Sequence, residues 1–120
     1  MTATLYQRLG GADGIARLVD DTVVAHLANP LVSTRYAQIK DMAHIKQLSR
    51  EFFTMGSGGP SNYTGKGMLA AHKGMNVSEQ EFLAVTDDIM EAMNKNGIEE
   101  DAKKDVLAIL YSLKGEIIRV

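Results

Sequence analysis

The feature that most constrains this chain is a break in its helical pattern between Phe52 and Ser78. The twelve residues from Gly56 to Gly67 hold five glycines and one proline. Glycine loses much backbone entropy on folding, and proline blocks the helical hydrogen bond, so no regular helix crosses this stretch. A short apolar helix is expected directly afterwards, from Met68 to Met75. At helical spacing Met68, His72 and Met75 share a face, so an imidazole is presented toward apolar surroundings.

The rest of the chain reads as helices. Thr4 stands three residues before Gln7, a capping-box start, and Gly10-Gly11 stops that helix at once. A second helix is expected from about Asp13 to Ala28, with Ile15, Leu18, Val19, Val23, His26 and Leu27 on its inner stripe. Asn29-Pro30 ends it, because the residue before proline avoids helical angles. Leu31 to Lys40 reads as a connector or a single turn carrying Tyr36. Asp41 caps a third helix, with Met42, Ile45, Ser49, Phe52 and Phe53 inside and Lys46 and Arg50 outside.

Ser78-Glu79-Gln80-Glu81 is a second capping box, opening a helix to about Lys95 with Phe82, Val85, Ile89 and Met93 inside. Asn96-Gly97 closes it. Glu99, Glu100 and Asp101 suit the positive end of a last helix, whose buried face runs through Val106, Ile109, Leu110, Leu113 and Ile117. No strand pattern or repeat is present, so the class is all-α, in one domain over residues 1–120.

Composition removes several function classes. Net charge is −2 without a basic run, which argues against nucleic acid as a partner. The absence of cysteine excludes disulfides, thiol nucleophiles and thiolate clusters. No apolar run is long enough to cross a bilayer and no signal-peptide pattern is seen. A cytoplasmic, membrane-free monomer is the expectation. With three histidines, His26, His44 and His72, candidate nitrogen ligands are few.

A histidine on an apolar face is most often a neutral, hydrogen-bonded core residue; the alternative is a metal or haem ligand. The surrounding residues favour the second. Leu5-Tyr6-Gln7-Arg8-Leu9-Gly10-Gly11, Gly58-Gly59, Tyr63-Thr64-Gly65 and Ala70-Ala71-His72 together resemble the truncated globins of the first group, over about Thr4 to Ile118. The resemblance implies a two-over-two helical sandwich around haem b, with a long loop where longer globins have a helix. It makes His72 the proximal iron ligand, with Phe52, Met68, Met75, Val77, Phe82 and Val85 walling the porphyrin. Its propionates would meet Lys66 and Lys46, with Tyr63 and His44 as further donors. No Cys-x-x-Cys-His is present, so this haem would have no thioether link.

The chain departs from that family on the distal side. The tyrosine that the family places on the second helix is matched by Val23, and its polar distal-helix positions by Ile45, Leu48 and Ser49. The phenylalanine that usually stacks on haem is matched by Tyr36. A hydrogen bond to a charged acceptor contributes roughly 1.5–3 kcal/mol, so losing the family's donor would speed oxygen release. Tyr36, Ser49 and His26, one turn after Val23, are the remaining donors. The alternative for Tyr36 and His26 is plain packing, with the imidazole turned to solvent. His44 is turned about 100° from Ile45 and is expected at the rim, with weak sixth-ligand binding as its other role.

The functional expectation is a haem protein binding oxygen, nitric oxide or carbon monoxide at a pentacoordinate or weakly hexacoordinate iron. Oxygen binding or delivery and nitric oxide removal, with nitric oxide dioxygenation and an unidentified reductase, fall under it. The competing classes are a haem-based redox or sensor protein and a haem-free helical interaction module. An apolar distal wall would disfavour peroxide cleavage, which needs a general base.

Overall fold

A computed structural model describes residues 3–60 and 63–120; the loop positions Ser61 and Asn62 lie outside the described residues. The helices, in order, are α1 (Leu5–Arg8), α2 (Gly11–Ala28), α3 (Ser33–Ala37), α4 (Met42–Gly56), α5 (Met68–His72), α6 (Glu79–Lys95) and α7 (Glu100–Ser112), followed by a 3-10 turn (Lys114–Glu116). No strand occurs among the described residues; one isolated parallel bridge joins Val77 to Ile118.

The caps fall where local chemistry predicts. Thr4 and Gln7 form a complete capping box on α1, and Ser78 and Glu81 form another on α6. The Asp41 carboxylate accepts from the His44 backbone N–H at 3.1 Å and opens α4. Helix α2 begins two residues earlier than the apolar stripe implies, because Gly11 and Ala12 are already helical.

Helix α2 packs against α4 on one side and α6 on the other, and α6 in turn carries α7. These are the two helix pairs of a two-over-two sandwich. Leu9, Ile15, Leu18, Val19, Ile89, Ala92, Met93 and Val106 form its buried core. Leu27, expected on the inner stripe of α2, is instead 46% exposed. Gly14 and Thr22 share the buried face with the core residues.

The short α1 is held against the end of α4, where the Tyr6 N–H donates to Ser57 O at 3.0 Å. This contact explains the central glycine pair. Gly58 has φ +85°, the left-handed region. Gly59 is needed for a different reason: a Cβ there would stand 2.4 Å from the Tyr6 ring. Further along, Glu51 of α4 accepts from the Thr64 backbone N–H (2.9 Å) and hydroxyl (2.8 Å), tying the loop back to the helix.

The last apolar face does not continue as one helix to the end. Helix α7 stops at Ser112 and the chain turns back beneath α5. The backbone N–H groups of Gly74 and Asn76 each donate to Val120 O at 3.1 Å, and that of Arg119 donates to Val77 O at 2.9 Å. The segment after His72 is therefore clasped by the final residues.

Candidate functional site: a cleft between two histidines

The sandwich leaves a cleft of two lobes with volumes of about 300 and 370 Å³. Tyr36, Ile45, His72, Val85, Leu110 and Ile117 line both, so the lobes are one space divided by side chains. The first lobe also meets Val23, His26, Leu48, Ser49, Phe52, Tyr63 and Met68. Arg35, Met75, Val77, Glu81 and Phe82 join the second.

His72 ends α5, and its Nδ1 lies 2.8 Å from the Met68 carbonyl oxygen. A carbonyl only accepts, so Nδ1 carries the proton and Nε2 keeps its lone pair. That second-sphere bond is the usual device for orienting a ligating histidine. No group of three or more His, Cys, Asp or Glu that could hold a bare metal ion occurs among the described residues. One imidazole donor facing a long apolar cleft fits a metal carried inside a flat, greasy macrocycle, as in haem.

The opposite wall is polar at one place. His26 is 2% exposed on α2, and its Nδ1 lies 2.8 Å from Asp88 Oδ2 of α6. Asn29 donates its amide to both Asp88 oxygens, at 3.1 and 3.2 Å. The His26 and Tyr36 rings meet at 4.7 Å with a 38° tilt. Burial lowers the His26 pKa, opposed by Asp88, so the imidazole stays neutral near pH 7. Burial and then the Asp88 charge raise that of Tyr36, which keeps its proton and remains a donor. Among the described residues, the Asp88 contact at Nδ1 is the hydrogen bond seen for His26, and Tyr36 meets it through its ring alone. Thr22 is no rival donor, because its hydroxyl is committed to Leu18 O at 2.7 Å.

At the second lobe, Arg35 of α3 grips Glu81 at the start of α6 with Nε and, at 3.1 Å, Nη2. The same Nη2 donates to Met75 O at 3.0 Å. The guanidinium is the main reason the Glu81 carboxyl falls to about 2.

The cleft thus gathers His72, Phe52, Tyr63, Met68, Met75, Val77, Phe82 and Val85 with Val23, His26, Tyr36, Ile45, Leu48 and Ser49. Tyr63 stacks edge-on against Phe52 at 5.8 Å, and its hydroxyl donates to Lys66 O at 2.6 Å. Three expected rim residues line neither lobe. Lys46 reaches Asp20 of α2 at 3.3 Å, and Lys66 and His44 are exposed. His26 packs inward on Asp88 rather than turning to solvent, and touches Tyr36 through ring contact rather than a hydrogen bond.

Asp88, Asn29, Arg35 and Glu81 are the site residues that sequence reading missed. Asp88 did leave a signal: it lies four residues from both Ala84 and Ala92, which are buried, so an acid occupied an inner position of α6. The Arg35–Glu81 pair joins residues 46 apart and left none.

Comparison with known proteins agrees with this architecture. The bacterial-like globin family matches residues 4–119. A group 1 truncated hemoglobin of Tetrahymena pyriformis is 27% identical over 115 residues, covering 96% of this chain and 94% of that protein. One from Tetrahymena thermophila is 31% identical over 97 residues, covering 81% and 79%. The crystal structure of the Tetrahymena pyriformis truncated hemoglobin in its Fe(III) form superposes with a TM-score of 0.93 at 26% identity, over 98% of this chain and all of that one. With the helix order, the glycine pairs and the histidine cleft, these likenesses show that the chain belongs to the bacterial-like globin family, among the truncated haemoglobins.

Proposed function

We propose that the protein holds one haem b through His72 and binds small diatomic gases against the wall formed by Tyr36, His26, Ile45, Leu48 and Ser49. The observation that carries this reading is the His72 geometry: Nδ1 is fixed by the Met68 carbonyl at 2.8 Å, leaving Nε2 as the donor toward an apolar cleft. Haem supplies the iron coordination site for the gas.

The chain's own residues supply the rest. Phe52, Met68, Val85 and Phe82 exclude water from the ring faces, which strengthens any polar contact made inside. Tyr36 is the donor we assign to a gas that becomes partly negative on binding, as oxygen does. Tyr36 lines both lobes of the cleft, and burial, then the Asp88 charge, favours its protonated form. Carbon monoxide, with less charge, gains less from it. Lys66 and His44 remain the proposed rim partners for the two propionates, and Arg35, which lines the second lobe itself, joins them in place of Lys46, which is paired with Asp20. We assign the protein to oxygen binding or nitric oxide removal, acting as a monomer with an electron-donating reductase.

The test is the visible spectrum of the purified protein beside His72→Gly. The parent should show a ferrous haem spectrum, and the variant should lose it and regain it with added imidazole. An unchanged spectrum in His72→Gly would overturn the assignment.

A further inference from the structure

Helices α2 and α6 separate two spaces: on the inside the first lobe of the cleft, the distal lobe where it meets His26, and on the outside an acidic surface groove of about 420 Å³. Asp21, Asn29, Asp88, Glu91 and Lys95 are among the groove's lining. Asp88 belongs to the groove and His26 to the lobe, and their 2.8 Å contact passes through the wall between them. A buried His–Asp pair is costly to desolvate, so its contribution to stability is not by itself a reason for its presence. Its placement supplies what the positions matched by Val23, Ile45 and Leu48 lack, a base on the distal side.

We propose that His26, positioned by Asp88, is a proton acceptor for small neutral acids HX that enter the distal lobe and are retained there as the anion X⁻. The inference rests on the haem assignment, since a haem held by His72 would supply the site at which the anion is retained. An ionised carboxylate only accepts, so Asp88 fixes the His26 proton on Nδ1 and leaves Nε2 bare. On entry of HX, the H–X bond breaks and its proton moves to Nε2. The resulting imidazolium is met by the buried Asp88 carboxylate, which Asn29 also holds and which lines the outer groove. Nothing is oxidised or reduced in this transfer.

The surrounding groups support the assignment. The titratable residues lining the distal lobe are His26, Tyr36, Tyr63 and His72. Tyr36 is held in its protonated form, the Tyr63 hydroxyl is committed to Lys66 O, and His72 is the assigned iron ligand. Helix α4 presents only Ile45, Leu48, Ser49, Phe52 and Phe53 to the lobe, none of them charged. From the groove side, Asp21 pairs with Lys95 at 3.6 Å, and Glu91 adds a further negative charge on α6. Burial keeps His26 unprotonated near pH 7, so it is available to accept.

The probe is hydrogen cyanide, a neutral acid retained as its anion, mixed by stopped flow with the ferric haem-loaded protein between pH 5 and 8. Loss of the base in His26→Leu should slow association by about a hundredfold. Asp88→Asn should slow it by about tenfold by mixing the imidazole tautomers. Carbon monoxide association with the ferrous protein has no proton to transfer and reports the altered wall alone, so the ratio of cyanide to carbon monoxide association rates should fall by about a hundredfold in His26→Leu and about tenfold in Asp88→Asn. The parent rate should fall on the acid side as His26 protonates, and His26→Leu should lose that dependence. Nitrogen-15 NMR of the parent's diamagnetic carbon monoxide complex gives a readout that needs no variant: Nδ1 of His26 should be protonated and Nε2 bare. A protonated Nε2, or equal cyanide rates in parent and His26→Leu, would overturn the proposal. A slow His26→Leu with a normal Asp88→Asn would remove Asp88 from it. Failure of the parent to take up haem would instead sink the haem reading, and shows in the spectrum before cyanide is added.

Discussion

Replacing Glu81 with glutamine should separate the ion pair at the second lobe from the helix cap that shares its side chain. Glutamine keeps an oxygen for the Ser78 N–H, which Glu81 accepts at 3.1 Å, so the capping box of α6 survives. The Arg35 guanidinium loses its charged partner and retains Met75 O. Arg35 is the leading cause of the fall in the Glu81 pKa from 4.5 to about 2, a gap equivalent to roughly 3 kcal/mol at neutral pH. The two side chains are 32% and 22% exposed, and solvent screening reduces the net contribution to about 1–2 kcal/mol. A carboxylate with a lowered folded pKa stabilises above its unfolded value and loses that contribution as pH falls toward the folded one. Between pH 7 and 3.5, the stability gap between parent and Glu81→Gln should therefore narrow by roughly a third to a half. Urea unfolding followed by circular dichroism, at matched haem content, measures the gap. A double-mutant cycle with Arg35→Met isolates the pair. A coupling energy within about 0.3 kcal/mol of zero, or a gap that does not change with pH, would refute the reasoning.

Three other outcomes follow from named contacts. Tyr36→Phe should speed oxygen dissociation by about tenfold, equivalent to roughly 1.4 kcal/mol, with little change for carbon monoxide; stopped-flow displacement reads both, and an unchanged rate would pass the donor role to Ser49. Gly59→Ala should destabilise the fold by about 1–3 kcal/mol in urea unfolding, because its Cβ meets the Tyr6 ring at 2.4 Å, and Tyr6→Ala should relieve part of that clash. Removing residues 118–120 takes away the Val120 carbonyl that accepts from Gly74 and Asn76; haem transfer to an excess of apomyoglobin should then be faster than for the parent.

The sequence by itself determined most helix starts and the stop of α2. It did not determine the end of α5, which comes at His72 before Met75, nor that of α7, which comes at Ser112 before Ile117. Capping boxes at Thr4 and Ser78, the Asp41 cap and the Asn29-Pro30 stop act between residues at most four apart, so their chemistry is local and readable. The same locality placed His72 and Met68 one turn apart, close enough for the bond that sets the imidazole tautomer. The resemblance to the truncated globins added the expectation that Val23 leaves the family's usual donor position without a hydroxyl.

Tertiary structure decided what meets across the cleft. His26 and Asp88 are 62 residues apart, and each alone reads as an ordinary polar residue on an amphipathic helix. Only the packing of α2 on α6 buries both and turns them into a base and its positioning partner. Lys46 shows the converse, since its sequence place beside Ile45 suggested the rim, while the approach of α2 brought Asp20 within reach. Periodicity gives the face of a helix but not the helix opposite, and the direction of a long flexible side chain depends on which charge the fold brings near it.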